Sequence, residues 1–168
     1  MASTYTLIAS NVLASAATST TFSSIPQTYT DLVIRYSARG ANLTFQIRLN
    51  GDTATNYSNT GISGSGSIAA SFRDTSQTST FSYYTQNSNT YTASVFSNGE
   101  FYLPSYTASQ NKAFNTIGVT ENNASNAFIA SNAHLWRNTA AVTSITFTSN
   151  AGNIDIGSSF YLYGIKNS

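Results

Sequence analysis

Apolar and polar side chains alternate along much of the chain. Within residues 31–39, Leu32, Ile34, Tyr36 and Ala38 recur at every second position, with polar or charged residues at most positions between them. A period of two places successive side chains on opposite faces of a β-strand. The 3.6-residue period of an amphipathic helix does not recur in the same way. The pattern therefore predicts β structure.

The next run alternates more regularly, with Leu43, Phe45, Ile47 and Leu49 predicted to point inward. Residues 40–42 (Gly-Ala-Asn) lie between the two runs and have the length of a hairpin connection. The sequence thus predicts that these two strands form a hairpin.

Turn signals follow the second run and recur throughout the chain. The triplet Asn50-Gly51-Asp52 suits the positive φ values of a tight turn. The Gly/Ser-rich segment 60–67 is predicted to be a surface loop, and the polar segment 86–90 is predicted to be a hairpin tip. Further strands are predicted at 5–9, 20–25, 67–72, 78–84, 92–96, 101–106, 113–119, 127–134, 142–148 and 160–165.

Many short strands at this spacing, with no linker between them, predict one all-β domain over residues 1–168. The expected architecture is an antiparallel β-sandwich of the jelly-roll type. Hydrophobic residues make up 40% of the chain and aromatic residues 13%, which is enough apolar surface for a core.

Low charge narrows the range of partners. Only 8% of residues are charged, and seven Lys+Arg against six Asp+Glu give a formal net charge of +1. Without a basic run, the chain is not expected to bind nucleic acid. No segment reaches the roughly 20 apolar residues of a membrane helix, and the first residues lack a positively charged signal region. We therefore expect neither membrane insertion nor a signal peptide.

The residues needed for catalysis are sparse. There is no cysteine, the one histidine is His134, and the six carboxylates are scattered along the chain. His134 lies among hydrophobic residues, where a hydrogen-bonded strand histidine is commoner than a general base. No Gly-x-Ser-x-Gly elbow is present. The sequence predicts a protein that is not an enzyme, with no catalytic residue and no cofactor.

Two groups of side-chain oxygens raise the question of calcium. One comprises Asn50, Asp52 and Asn56, and the other Asn150, Asn153 and Asp155. Neither has the spacing of an EF-hand loop. Both are interpreted as turns, so no metal site is predicted, although calcium binding stays open.

Aromatic residues near an Asn-rich loop are the candidates for ligand binding. Tyr83, Tyr84 and Tyr91 flank this loop, and sugar recognition uses exposed rings beside amide and carboxylate groups. Tyrosine is also an ordinary strand residue. The single tryptophan, Trp136, is expected in the core or in an interface rather than on a sugar-binding surface.

Several short sequence segments resemble those of a family of short virion proteins encoded by tailed phages, many from aquatic hosts. The resemblance covers most of the chain. It is carried by residues 29–35 (YTDLVIR), 48–53 (RLNGDT) with 56–58 (NYS), 136–145 (WRNTAAVTSI) and 159–166 (SFYLYGIK).

The resemblance implies a structural role on the outside of a virion, as a capsid decoration or a tail-fibre module that packs against other virion proteins of the capsid or tail. The alternative is a receptor-binding tail-fibre tip that recognises a host surface glycan during host attachment. It also implies a homo-oligomer, with a homotrimer preferred, made in the host cytoplasm without a signal peptide. Capsid and tail locations both stay open.

Overall fold

Thirteen β-strands make up the regular structure of the described residues. The computed structural model describes residues 4–123 and 127–166, and no helix occurs in these ranges. The strands are β1 (Tyr5–Val12), β2 (Ser19–Phe22), β3 (Asp31–Gly40), β4 (Phe45–Leu49), β5 (Tyr57–Gly64), β6 (Ala69–Gln77), β7 (Thr80–Ser82), β8 (Asn87–Ser88), β9 (Ser97–Leu103), β10 (Lys112–Val119), β11 (Ile129–Trp136), β12 (Ile145–Ser149) and β13 (Ser159–Ile165).

The strands form two sheets that share one core. The large sheet has the order β1-β13-β3-β9-β10-β11-β5-β6, and β8 joins β3 in parallel. The small sheet has the order β2-β12-β4-β7. All other strand pairs are antiparallel, which confirms the predicted all-β antiparallel sandwich. Connections such as β3 to β4 and β12 to β13 cross between the sheets, as they do in jelly rolls.

The core lies where the alternating positions of both sheets meet. Leu32, Ile34, Tyr36 and Ala38 of β3 are all buried, as their period of two predicts. Across the gap, β4 contributes alternate buried residues, beginning with Phe45. The two ring centroids of Tyr36 and Phe45 are 5.6 Å apart in an edge-to-face arrangement. The apolar core thus joins the two sheets.

The predicted hairpin at residues 40–42 is wrong. β3 is hydrogen-bonded on both sides by β9 and β13, whereas β4 belongs to the small sheet between β12 and β7. Both edges of β3 are therefore occupied over most of its length, and the chain crosses to the other sheet instead of turning back. The turn at Asn50-Gly51 is confirmed, because both residues have positive φ and the amide of Asp52 donates to the carbonyl of Leu49.

Every predicted strand segment overlaps a strand except 92–96, which is wrong. That segment is a loop that ends where β9 begins. The predicted surface loop at 60–67 is wrong at residues 60–64, because residues 57–64 form β5, hydrogen-bonded between β11 and β6. The predicted hairpin tip at 86–90 is also wrong, since Asn87 and Ser88 are buried and pair with the end of β3.

The large sheet is wider than the small one. β7, at the edge of the small sheet, contacts β5, β6 and β11 of the large sheet. The following residues 83–88 continue over the same inner face, where the backbone of Tyr83 bonds the Asn132 side chain of β11. The outer face of the large sheet has no such cover from any described part of the chain at β5, β10 and β11, where outward positions such as Ile62 and Ile129 are exposed.

Candidate functional site

The single histidine is buried between the sheets. His134 of β11 is 3% exposed; its Nδ1 lies 2.6 Å from Thr80 Oγ1 and its Nε2 lies 2.9 Å from Thr116 Oγ1. Its ring stacks on Phe114, with 4.9 Å between the centroids. Burial lowers the pKa of His134 from 6.5 to about 3. Both nitrogens are engaged with threonine hydroxyls, so this histidine acts as a neutral cross-link between β7, β10 and β11.

More neutral polar side chains surround His134 and extend this link. The Thr116 hydroxyl lies 2.6 Å from Ser82 Oγ, and Ser82 Oγ lies 2.8 Å from Thr85 Oγ1. On the other side, the backbone amide of Phe81 donates a hydrogen bond to the side-chain oxygen of Asn59. Buried polar groups of this kind are tolerated because they bond one another. The network holds β7 and the residues after it on the large sheet.

Two of the three candidate tyrosines lie together. Tyr83 packs against Phe72 and Phe81, with centroid distances of 4.4 and 5.8 Å, and Tyr84 stacks on Phe128 at 4.2 Å. The Tyr83 hydroxyl donates to Asp74 Oδ2 at 3.0 Å. Burial, with the Asp74 carboxylate, raises the pKa of Tyr83 to about 12. Both rings are half-buried and already packed against aromatic neighbours.

The structure does not bring Tyr91 into this cluster. Tyr91 lies in the 89–95 loop, and no ring contact joins it to Tyr83 or Tyr84 among the described residues. The loop is held by Arg39, whose guanidinium donates to the carbonyls of Thr92, Val95 and Asn89 at 2.6 to 3.1 Å. A ligand site formed jointly by the three tyrosines stays a prediction.

The first candidate calcium group is a set of turns whose oxygens accept hydrogen bonds from the protein. Asp52 receives the Trp136 indole N–H at 2.7 Å and the Asn56 amide at 2.9 Å. These bonds, led by that from Asn56, lower the pKa of Asp52. Trp136 is 1% exposed and stacks on Tyr57, which confirms its expected burial. The side-chain oxygen of Asn50 accepts the backbone amides of residues 143 and 144.

The second group is divided among different contacts. Asn150 accepts a hydrogen bond from Gln46, while Asp155 pairs with Arg39 at 3.5 Å and accepts from Asn89. Within residues 4–123 and 127–166, no three His, Asp or Glu side chains come close enough to hold a metal ion.

Two buried cations were missed by sequence reasoning. Lys112 is 1% exposed, and its ammonium donates to the carbonyls of Ala108 and Gln110 at 2.7 and 2.6 Å. Burial lowers the pKa of Lys112. Arg39 is similarly buried. Both bind backbone carbonyls, which every residue carries, so no local signal in the sequence marks them.

An apolar groove crosses the exposed outer face of the large sheet. The side chains of Ile62, Ile117 and Ile129 line it and are 64, 47 and 62% exposed. Its volume is about 580 Å³, and its lining contains no charged or aromatic side chain among the described residues. We call the groove and the adjoining exposed Val119 the outer apolar face. Sequence alternation had placed apolar residues in these strands but did not indicate which face lacks cover.

No protein-family model matches the chain, and no curated protein matches it. In the portion of the chain that the structure describes, no helix is long and apolar enough to cross a membrane.

Proposed function

We propose that this protein is a non-enzymatic assembly module on the outside of a tailed-phage virion, where it packs as a decoration or fibre module. The outer apolar face carries the proposal. Three isoleucines and a valine, each at least 37% exposed, cluster on three neighbouring strands. Contiguous apolar surface of this kind generally marks a contact site rather than a solvated surface.

The polar groups inside the sandwich support a structural role. His134, Lys112 and Arg39 each bind hydroxyls or carbonyls that join separate segments of the chain. Their contacts stabilise the fold, and the three residues are only 1 to 8% exposed. These three side chains therefore support a role in holding the fold together.

Low charge also suits a packing surface. A net charge of +1 gives little electrostatic repulsion between neighbouring subunits. The lining of the groove offers no cation for phosphate and no ring for sugar stacking. A protein neighbour with its own apolar surface fits the groove better than a nucleic acid or a glycan.

Retention by virus particles tests this function. Purified protein is mixed with particles of the encoding phage from which the gene has been deleted, and the particles are pelleted. We expect wild-type protein to be retained and the variant with Ile62→Thr and Ile129→Thr to be lost, because threonine keeps β propensity while removing apolar surface. Leu7→Thr is the matched control, since Leu7 is 53% exposed on the opposite edge strand, β1. Wild-type protein that stays in the supernatant rejects the proposal.

Receptor binding and the homotrimer stay predictions of the resemblance. The Tyr83 and Tyr84 rings are packed against other aromatic rings, so the contacts do not favour a glycan site there. A glycan array compared between wild type and Tyr84→Ala tests the alternative. Strong binding that this substitution abolishes would favour it over packing.

A further inference from the structure

Projecting and small residues lie side by side on the outer apolar face. In the strand register, Ile62 lies opposite Ser131, Ile129 lies opposite Gly64, and Gly64 lies opposite Ala69. Each isoleucine therefore has a small residue as its neighbour on the adjacent strand. Ile62 and Ile129 are thus two large apolar side chains that a neighbouring protein would meet on this face.

One unpaired cation and one anion border this face at opposite corners. Arg73 lies on β6, opposite Thr60 of β5, next to the end of the groove that Ile62 lines. Glu121 follows β10 and borders the far end of the face together with Val119. Both are exposed, and the ion pairs of the described residues, Arg35–Glu100 and Arg39–Asp155, include neither.

We propose that the outer apolar face binds the same face of a second copy of this chain about a two-fold axis. The axis lies in the plane of the contact, perpendicular to the line between Arg73 and Glu121 and through its midpoint. Such a rotation places Arg73 of each copy opposite Glu121 of the other and forms two ion pairs. The inference deepens the proposed function: the copies that bind a particle hold one another through this face, so that loss of Ile62 and Ile129 weakens retention of them all.

The outer apolar face has an apolar centre and a polar edge. The isoleucines and Val119 supply the apolar centre, while Thr60, Arg73 and Glu121 belong to the polar rim. An apolar centre with a polar rim is the usual anatomy of a protein interface.

Charge reversal tests whether the two corners meet between copies. Arg73→Glu and Glu121→Arg each turn two attractive pairs into two repulsive ones, so each variant alone should self-associate about tenfold more weakly at low salt. An equimolar mixture of the two variants restores opposite charges at both corners and should recover wild-type affinity as a heterodimer. The variant with both reversals should recover it as a homodimer.

Sedimentation velocity over a concentration series measures these affinities. Lys166→Glu is the control, because it reverses an exposed cation that lies after β13, away from the groove. A mixture no stronger than either variant alone overturns the proposal. So does wild-type protein that remains monomeric at every concentration or forms trimers.

Pairing and the proposed function fail in distinguishable ways. Monomeric protein that is still retained by particles through Ile62 and Ile129 overturns pairing and leaves the assembly role intact. Protein that passes the charge-reversal test and is not retained by particles rejects the virion role and leaves pairing intact.

Discussion

At the scale of single residues, the polar groups inside this sandwich act as cross-links. His134 connects threonines from two strands, and Lys112 donates to carbonyls of residues 108 and 110 and to that of Thr139. These hydrogen bonds offset the desolvation of the His134 and Lys112 side chains. A chain with no cysteine thus joins its segments through hydrogen bonds instead of disulfides.

The lowered pKa of His134 makes folding sensitive to mild acid. Because the folded pKa is about 3 and the ordinary value is 6.5, the unfolded chain binds a proton that the folded chain excludes. The stability that the neutral His134 side chain gives to the folded state is complete above about pH 6.5 and is lost as the pH falls towards 3. Between pH 7 and pH 5 the free energy of unfolding should decrease by about 2 kcal/mol on this account.

Denaturant unfolding at the two pH values measures this loss. His134→Gln, which keeps a donor and an acceptor but does not titrate, should be less stable at pH 7 and should show a much smaller decrease at pH 5. A decrease of the same size in both proteins would show that other groups cause it.

Sequence reasoning at this scale succeeded where a residue's own chemistry restricts its place. A lone tryptophan was expected in the core, and Trp136 is there. Arg39 and Lys112 were not found, because cations are usually exposed and their partners are carbonyls, which every residue carries. The hydrogen bond from Tyr83, which follows β7, to Asp74 of β6 likewise has no local signal.

At the scale of elements, β5 shows why composition misled the prediction. Glycine and serine favour loops, yet residues 57–64 form a strand inside the large sheet. The Phe72 ring lies over Gly61, where a Cβ atom would be 2.4 Å from Phe72 Cε2. The glycine is therefore required by a ring from the neighbouring strand, which local sequence does not reveal.

Separate substitutions of two glycines in β5 test whether the Phe72 ring requires a glycine at position 61. Gly61→Ala should lower the free energy of unfolding by about 1–3 kcal/mol, because the ring must move. Gly64→Ala is the control, since the nearest atom to its Cβ would be Ile129 Cγ2 at 3.8 Å, an ordinary contact. Thermal unfolding measures both, and equal effects would contradict the close approach of Phe72.

The 89–95 loop depends on Arg39 for its order. Arg39→Lys keeps the charge but loses the fork of donors that reaches three carbonyls, so amide hydrogens of residues 89–95 should exchange about tenfold faster. Arg35→Lys is the control, because its ion pair with Glu100 is exposed. Hydrogen exchange by mass spectrometry measures both variants, and unchanged exchange in Arg39→Lys would refute the role.

At the scale of the whole molecule, alternation predicted the sandwich but not its arrangement. The period of two identified the core faces of β3 and β4, because burial on one face leaves that pattern in the sequence. It did not assign the two strands to different sheets, since strand pairing depends on contacts that are distant in sequence. For the same reason it did not reveal that the outer face of β10 and β11 is apolar and is covered by no described part of the chain.

Side-chain footprinting of the assembled protein tests the central claim that a neighbour covers this face. Carbene labelling is compared between dilute protein and protein that is concentrated or bound to particles. The account predicts that Ile62 and Ile129 lose labelling on assembly, while Leu7 and Val12 of β1, which are similarly exposed, keep theirs. Equal labelling of Ile62 and Ile129 in all three states would contradict it.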